Sequence, residues 1–109
     1  MTNEGRLYKN SAERGCIYEF IEKDGTVKNE VLVVSSNARS MDKMISIIMI
    51  GDSPAGHDVV PVEYNGKNRY VHSELVTYTN RARLGNKLCK ISDDLLDKIT
   101  KVMIRGLSD

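Results

Sequence analysis

Apolar positions in this chain recur at two spacings: short strand-like runs over most of its length, and one helical stretch near the end. Residues 17–23 (IYEFIEK) and 26–34 (TVKNEVLVV) read as strands joined at Asp24-Gly25, where both residues tolerate positive φ. Val31-Leu32-Val33-Val34 is apolar without alternation, the pattern of a central strand covered on both faces. After a polar break at 35–40 (SSNARS), residues 44–50 (MISIIMI) are too short for a core helix and rich in β-branched side chains, which predicts a strand. Residues 51–58 (GDSPAGHD) are a loop by composition. Residues 59–64 and 67–78 flank Asn65-Gly66, the strongest short hairpin signal. Pro61 has no amide donor, so its strand is expected at an edge, or bulged. Residues 81–85 turn the chain. Ser92 then stands as an N-cap before Asp93 and Asp94, which suit the positive end of a helix. Leu95, Leu96, Ile99, Val102 and Met103 mark one buried helical face, and Gly106 fits a stop. These elements predict a mainly β (α+β) fold, a small twisted sheet or barrel capped by one C-terminal helix. Residues 1–13 are polar and unpatterned and are expected to be a mobile extension to a single domain over 14–109.

The chain has 109 residues, enough for one core without staples. Sixteen Lys and Arg against 15 Asp and Glu leave a formal charge of +1, so any nucleic-acid binding needs a local basic patch. Cys16 and Cys89 lack metal-ligand spacing and read as reduced thiols. No signal peptide opens the sequence, and the longest apolar run, Ile47-Ile48-Met49-Ile50, is far short of a membrane span. The expectation is a cytoplasmic protein with no membrane contact.

The Asn65-Gly66 turn supplies a geometric test of both histidines. A two-residue turn sets Tyr64 opposite Lys67; continuing the register sets Val59 opposite His72 and His57 opposite Glu74. His72 and Glu74 are two apart in one strand and share a face. The reading predicts that His57, His72 and Glu74 converge. A histidine beside a carboxylate can divide general-base and general-acid roles. That pairing suits in-line attack by a ribose 2′-hydroxyl on its own phosphodiester. A solvated cross-strand ion pair is the bland alternative, common on exposed sheet faces. Metal binding by this set ranks last, and no cofactor is expected. Residues 81–90 (RARLGNKLCK) hold Arg81, Arg83, Lys87 and Lys90 and no acid; they read as phosphate contacts or as a solvated turn. Tyr64, Tyr70 and Tyr78 can stack bases or pack in the sheet. Asp52-Ser53 is an active-site loop or a simple turn. Signatures of kinases, dehydrogenases, zinc modules and α/β-hydrolases are missing.

Several segments, in order and spacing, resemble the MazF/PemK family of toxin–antitoxin mRNA interferases. They are Arg14-Gly15-x-Ile17-Tyr18, Val31-Leu32-Val33-Val34-Ser35, Arg83-Leu84-Gly85-x-Lys87-Leu88-x-Lys90-Ile91-Ser92-Asp93-Asp94, and Gly106-Leu107. The likeness runs from about Arg14 to Leu107. It implies a compact SH3-like β-barrel with helices, usually a homodimer that binds single-stranded RNA along a dimer groove. It also implies cleavage at short sequences to a 2′,3′-cyclic phosphate without a metal, and an antitoxin protein that blocks the groove. The family's Arg-Pro before the Val-Leu-Val-Val strand is Asn29-Glu30 here, and that arginine normally serves the reaction. The Thr or Ser ending the family's third strand aligns with Gly51, with Ser53 two residues on. The usually long first loop is cut to a turn at Asp24-Gly25, and the family's Gln-x-Arg-Thr-x-Asp run reads Leu75-Val76-Thr77-Tyr78-Thr79-Asn80. Glu74 matches the family's acidic position, and His72 stands where one branch carries an arginine.

The expected function is therefore a diverged endoribonuclease, with Glu74 as base, His72 or His57 as acid, and Arg81 or Arg83 stabilising the phosphorane charge. Lys87, Ser53 and Tyr70 complete the expected RNA contacts. The alternative is a binding protein on the same scaffold without catalysis, as part of a toxin–antitoxin-like system. A gyrase-poisoning toxin shares the barrel, but no residue here argues for one.

Overall fold

The computed structural model describes residues 11–56 and 58–108. Six strands form one antiparallel sheet: β1 (Cys16–Ile21), β2 (Val27–Val33), β3 (Met44–Gly51), β4 (Val59–Tyr64), β5 (Lys67–Asn80) and β6 (Leu84–Lys90). Their order across the sheet is β4-β5-β3-β2-β1-β6, and the sheet curls into a half-barrel with edges at β4 and β6. Short 3₁₀ turns occupy Asn37–Arg39 and Arg81–Arg83, and one helix, α1, runs Asp93–Ser108.

Both faces of the sheet are covered. On one face Ile17, Leu32, Ile48, Val60, Val71 and Ile99 form a core with Leu95, Leu96, Val102 and Met103 of α1 packed against it. That is the helical stripe expected from the sequence. On the other face Cys16, Tyr18, Phe20, Val31, Ile45, Ile47 and Leu84 form a second core. β2 lies between β1 and β3, which explains its unbroken apolar run: alternate residues serve opposite cores. Cys16 and Cys89 are free, on neighbouring strands but in opposite cores.

The two hairpins close differently. Asn65 and Gly66 have φ of 53° and 75°, the two left-handed residues of a type I′ turn, and Tyr64 pairs with Lys67. At the first hairpin only Gly25 is left-handed, at φ 86°. The Gly25 amide donates to Glu22 O and the Glu22 amide to Thr26 O, a three-residue loop rather than a two-residue Asp-Gly turn. Asp24 accepts from the Thr26 amide instead. Pro61 lies on the edge strand β4, where a missing donor costs no ladder bond to a further strand.

Two expected boundaries change. Residues 84–90 are a strand, β6, not part of a turn. Its apolar content is low because it pairs only with β1 and leaves an exposed, lysine-bearing edge. The helix passes Gly106 and ends at Ser108. At its start the Ser92 hydroxyl accepts from the Leu95 amide, the expected cap. Residues 1–10 lie outside the described residues. Ser11–Glu13 lie against the sheet: Ala12 is buried, its amide donates to Ser40 O, and Tyr18 OH donates to Ser11 O.

Candidate functional site

The β4–β5 register runs unbroken from Tyr64↔Lys67 to Val59↔His72, as the turn predicts. β5 then bulges. Ile50 pairs with Val71 but Ile48 with Val76, so β5 carries extra residues opposite Met49. Glu74 lies within this bulge, and its Oε1 stands 3.4 Å from His72 Nδ1. Both side chains retain solvent contact, 12% exposed for His72 and 30% for Glu74. His57 lies outside the described residues.

Two glycines make room for the pair. A Cβ on Gly51 would stand 3.2 Å from His72 Nε2, and one on Gly56 would stand 2.7 Å from Glu74 Oε1. The imidazole therefore presents Nδ1 to the carboxylate and Nε2 to the end of β3. The ring of His72 occupies the space beside Gly51.

The pair shares its sheet face with a second group of polar residues. Phe20 pairs with Asn29, Glu30 with Ile50, and Gly51 with Tyr70. Extending β2–β3 by one residue sets Asn29 beside Gly51, so Phe20, Asn29, Gly51 and Tyr70 form a row across the sheet. At the β1 end of that row is a concavity of about 660 Å³, lined by Phe20, Glu22, Lys23, Lys28, Asn29 and Arg83 among others. Arg83 lies 4.5 Å over the Phe20 ring, donates Nε to Ile21 O at 2.9 Å, and sets Nη2 3.7 Å from Glu22. Asn29 Nδ2 donates to Glu22 Oε1 at 2.5 Å. The His72–Glu74 pair stands on β5, three strand spacings from Phe20 on the same face, about 14 Å at the usual spacing of about 4.8 Å.

The other expected contacts scatter. Arg81 is buried at 3% exposure, with Nη1 3.0 Å from Met41 Sδ. Lys87 is exposed and paired with Glu13 at 2.6 Å; the hydrogen bond raises the Lys87 ammonium and lowers the Glu13 carboxyl from their ordinary pKa values. Ser53 is exposed, its hydroxyl accepting from the Ala55 amide. Tyr70 lines a separate concavity of about 290 Å³ with Pro61 and Arg69. Neither concavity is lined by His72 or Glu74.

Tyr64 is a core residue and Tyr78 an exposed one. Tyr64 donates to Glu30, which pairs with Arg69 Nη1 at 3.1 Å, while Arg69 Nε lies 2.9 Å from Asp52. Burial, then the Glu30 carboxylate, pushes the Tyr64 phenol well above its ordinary value. This network joins β2, the residue after β3 and the β4–β5 hairpin, and no local pattern announces it. Among the described residues no cluster of three or more His, Cys, Asp or Glu is placed to hold a metal ion, and no helix is long and apolar enough to cross a membrane.

Compared by sequence, the chain matches no family model and no curated protein. Compared by structure, it resembles endoribonuclease toxins. An endoribonuclease from a mycobacterial species superposes with a TM-score of 0.76 at 19% identity, over 91% of this chain and 93% of the other. A second, in complex with its cognate antitoxin, gives 0.75 at 18% identity over 88% and 94%. A MazE–MazF structure from Deinococcus radiodurans gives 0.77 at 14% identity over 91% and 98%. The half-barrel thus shares its fold with these proteins. It is the MazF fold.

Proposed function

We propose that this chain is a diverged MazF/PemK toxin, an endoribonuclease that cleaves single-stranded RNA at short sequences by 2′-hydroxyl attack without a metal. The observation that carries the reading is the His72–Glu74 contact, held on the same sheet face as the Arg83 concavity within a MazF fold.

The contact also revises how the two residues share the chemistry. In-line displacement puts the attacking and leaving oxygens on opposite sides of phosphorus, so groups 3.4 Å apart do not serve one side each. His72 and Glu74 act as one proton-transfer unit. The carboxylate holds Nδ1–H and leaves Nε2 as the acceptor. The 2′-hydroxyl proton passes to Nε2 while the 2′-oxygen bonds to phosphorus. The bond from phosphorus to the 5′-oxygen breaks, and that oxygen takes a proton from water, leaving a 2′,3′-cyclic phosphate and a 5′-hydroxyl. Lys28 and Arg83 draw the RNA backbone to this face.

The partners follow from the same reading. An endoribonuclease neighbour is seen with its cognate antitoxin, which supports an antitoxin protein as the physiological inhibitor. The active form is a homodimer in the cytoplasm, where its RNA is found. Asn29 and Gly51 favour a second reading, a binding protein that kept the scaffold and lost the reaction. Incubating the purified chain with mixed single-stranded RNA in EDTA separates the two. Products ending in cyclic phosphate, lost in His72→Ala, support the enzyme; intact RNA at high protein concentration supports the binding protein.

A further inference from the structure

We infer that the concavity between the β1–β2 turn and the start of β6 is a pocket for one RNA base, and that the base it accepts is guanine. This rests on the ribonuclease reading above and adds how the cut sequence is read.

The pocket has a fixed platform. Arg83 lies 4.5 Å over Phe20 and is tied by Nε to Ile21 O, so one face of its guanidinium is covered and it also lines the open concavity. Unpaired bases stack on planes of this kind. The pocket also has a fixed reader. Glu22 accepts from Asn29 Nδ2 at 2.5 Å and faces Arg83 Nη2 at 3.7 Å, yet its side chain is 29% exposed. A carboxylate only accepts, and two anchors leave further lone pairs free. Guanine is the base that offers two adjacent donors on its Watson–Crick edge, N1–H and the 2-amino group. Adenine and cytosine set a ring-nitrogen acceptor beside their amino group, and uracil sets its N–H between two carbonyls; each turns an acceptor toward the carboxylate. Asp24, the other carboxylate lining the concavity, accepts from the Thr26 amide and hydroxyl, while Lys23 and Lys28 supply charge for the flanking phosphates without reading sequence. Asn29 continues β2 one residue past the Glu30–Ile50 pair, toward Gly51, over which His72 sits, so a base held here belongs to a nucleotide near the one that is cut.

The test uses the full chain and fluorescent single-stranded oligonucleotides with 2′-O-methyl sugars, which bind without offering the attacking hydroxyl. One guanine in a uridine background is compared with inosine, which lacks the 2-amino group, and with adenine. The expected result is that guanine binds about tenfold more tightly than inosine or adenine. Glu22→Gln keeps the bond from Asn29 and should bring guanine down to the inosine level at an unchanged melting temperature. Arg83→Lys keeps the charge, loses the plane, and should weaken all three alike. Equal affinity for guanine and inosine, a guanine preference that survives Glu22→Gln, or no binding at all overturns the pocket assignment. Cleavage of ordinary RNA is scored separately: a guanine preference without cleavage sinks the ribonuclease reading and leaves the pocket standing.

Discussion

The ring of His72 fills the space over Gly51, with Nε2 3.2 Å from where a side chain at that position would begin. The two positions are therefore coupled. A hydroxyl residue at the end of β3 and an imidazole at position 72 compete for one volume. Gly51→Thr should push the ring off its place and break its contact with Glu74. We expect RNA cleavage to fall by at least about tenfold and stability to drop by about 1–3 kcal/mol. Urea unfolding and a cleavage time course measure both; full activity in Gly51→Thr would show that the ring position is irrelevant.

His72 and Glu74 in contact should behave as a unit in mutant kinetics. His72→Ala and Glu74→Ala are each expected to lower the cleavage rate by roughly 10²–10⁴. The double variant should lose no more than about the larger single loss, because the carboxylate acts through the imidazole. Losses that multiply would mean separate acid and base roles on the two residues.

Tyr64 predicts an alkaline dependence. Burial, and then the Glu30 carboxylate, raise its folded phenol pKa above the unfolded value of about 10. The folded state therefore keeps a proton that the unfolded state releases. The stability this contributes is complete below about pH 10 and is lost as pH rises through the folded value. Tyr64→Phe should cost about 1–2 kcal/mol at neutral pH by removing the bond to Glu30. The gap between wild type and variant should narrow above about pH 10. Unfolding midpoints across pH 7–11 are the measurement, and a constant gap is the contrary result.

Ile99 has no solvent exposure and joins α1 to the core formed with β1, β2, β3, β4 and β5. Ile99→Ala should destabilise the fold by about 2–5 kcal/mol, whereas Ile104→Ala, at a residue 54% exposed, should change it by less than about 0.5 kcal/mol. Thermal melting of the two variants side by side checks the helix orientation.

Much of this is legible in the sequence. Asn65-Gly66 set the register that brings Val59 opposite His72, and Ser92 marked the helix start. The stripe at Leu95, Leu96, Ile99, Val102 and Met103 marked the face that packs. β6 was not legible. An edge strand with Gly85, Asn86, Lys87 and Lys90 needs little apolar surface, so its composition resembles a turn. The bulge in β5 left no mark either, because its extra residues are defined only by the pairing with β3. Arg81 and Arg83 look alike in sequence, yet one is buried beside Met41 and the other lies over Phe20 in a concavity.

The division has a physical basis. Local chemistry, in the turn residues, the cap, the alternation and the helical stripe, is carried by neighbours in the chain, and the sequence by itself determined the main strands, the final helix and the shared face of His72 and Glu74. What surrounds that pair is built by segments far apart in sequence. The vacancy at Gly51, the closeness of Gly56 to Glu74, and the joining of Phe20, Asn29 and Arg83 into one pocket arise only when long-range strand pairing closes, and tertiary structure alone decided them.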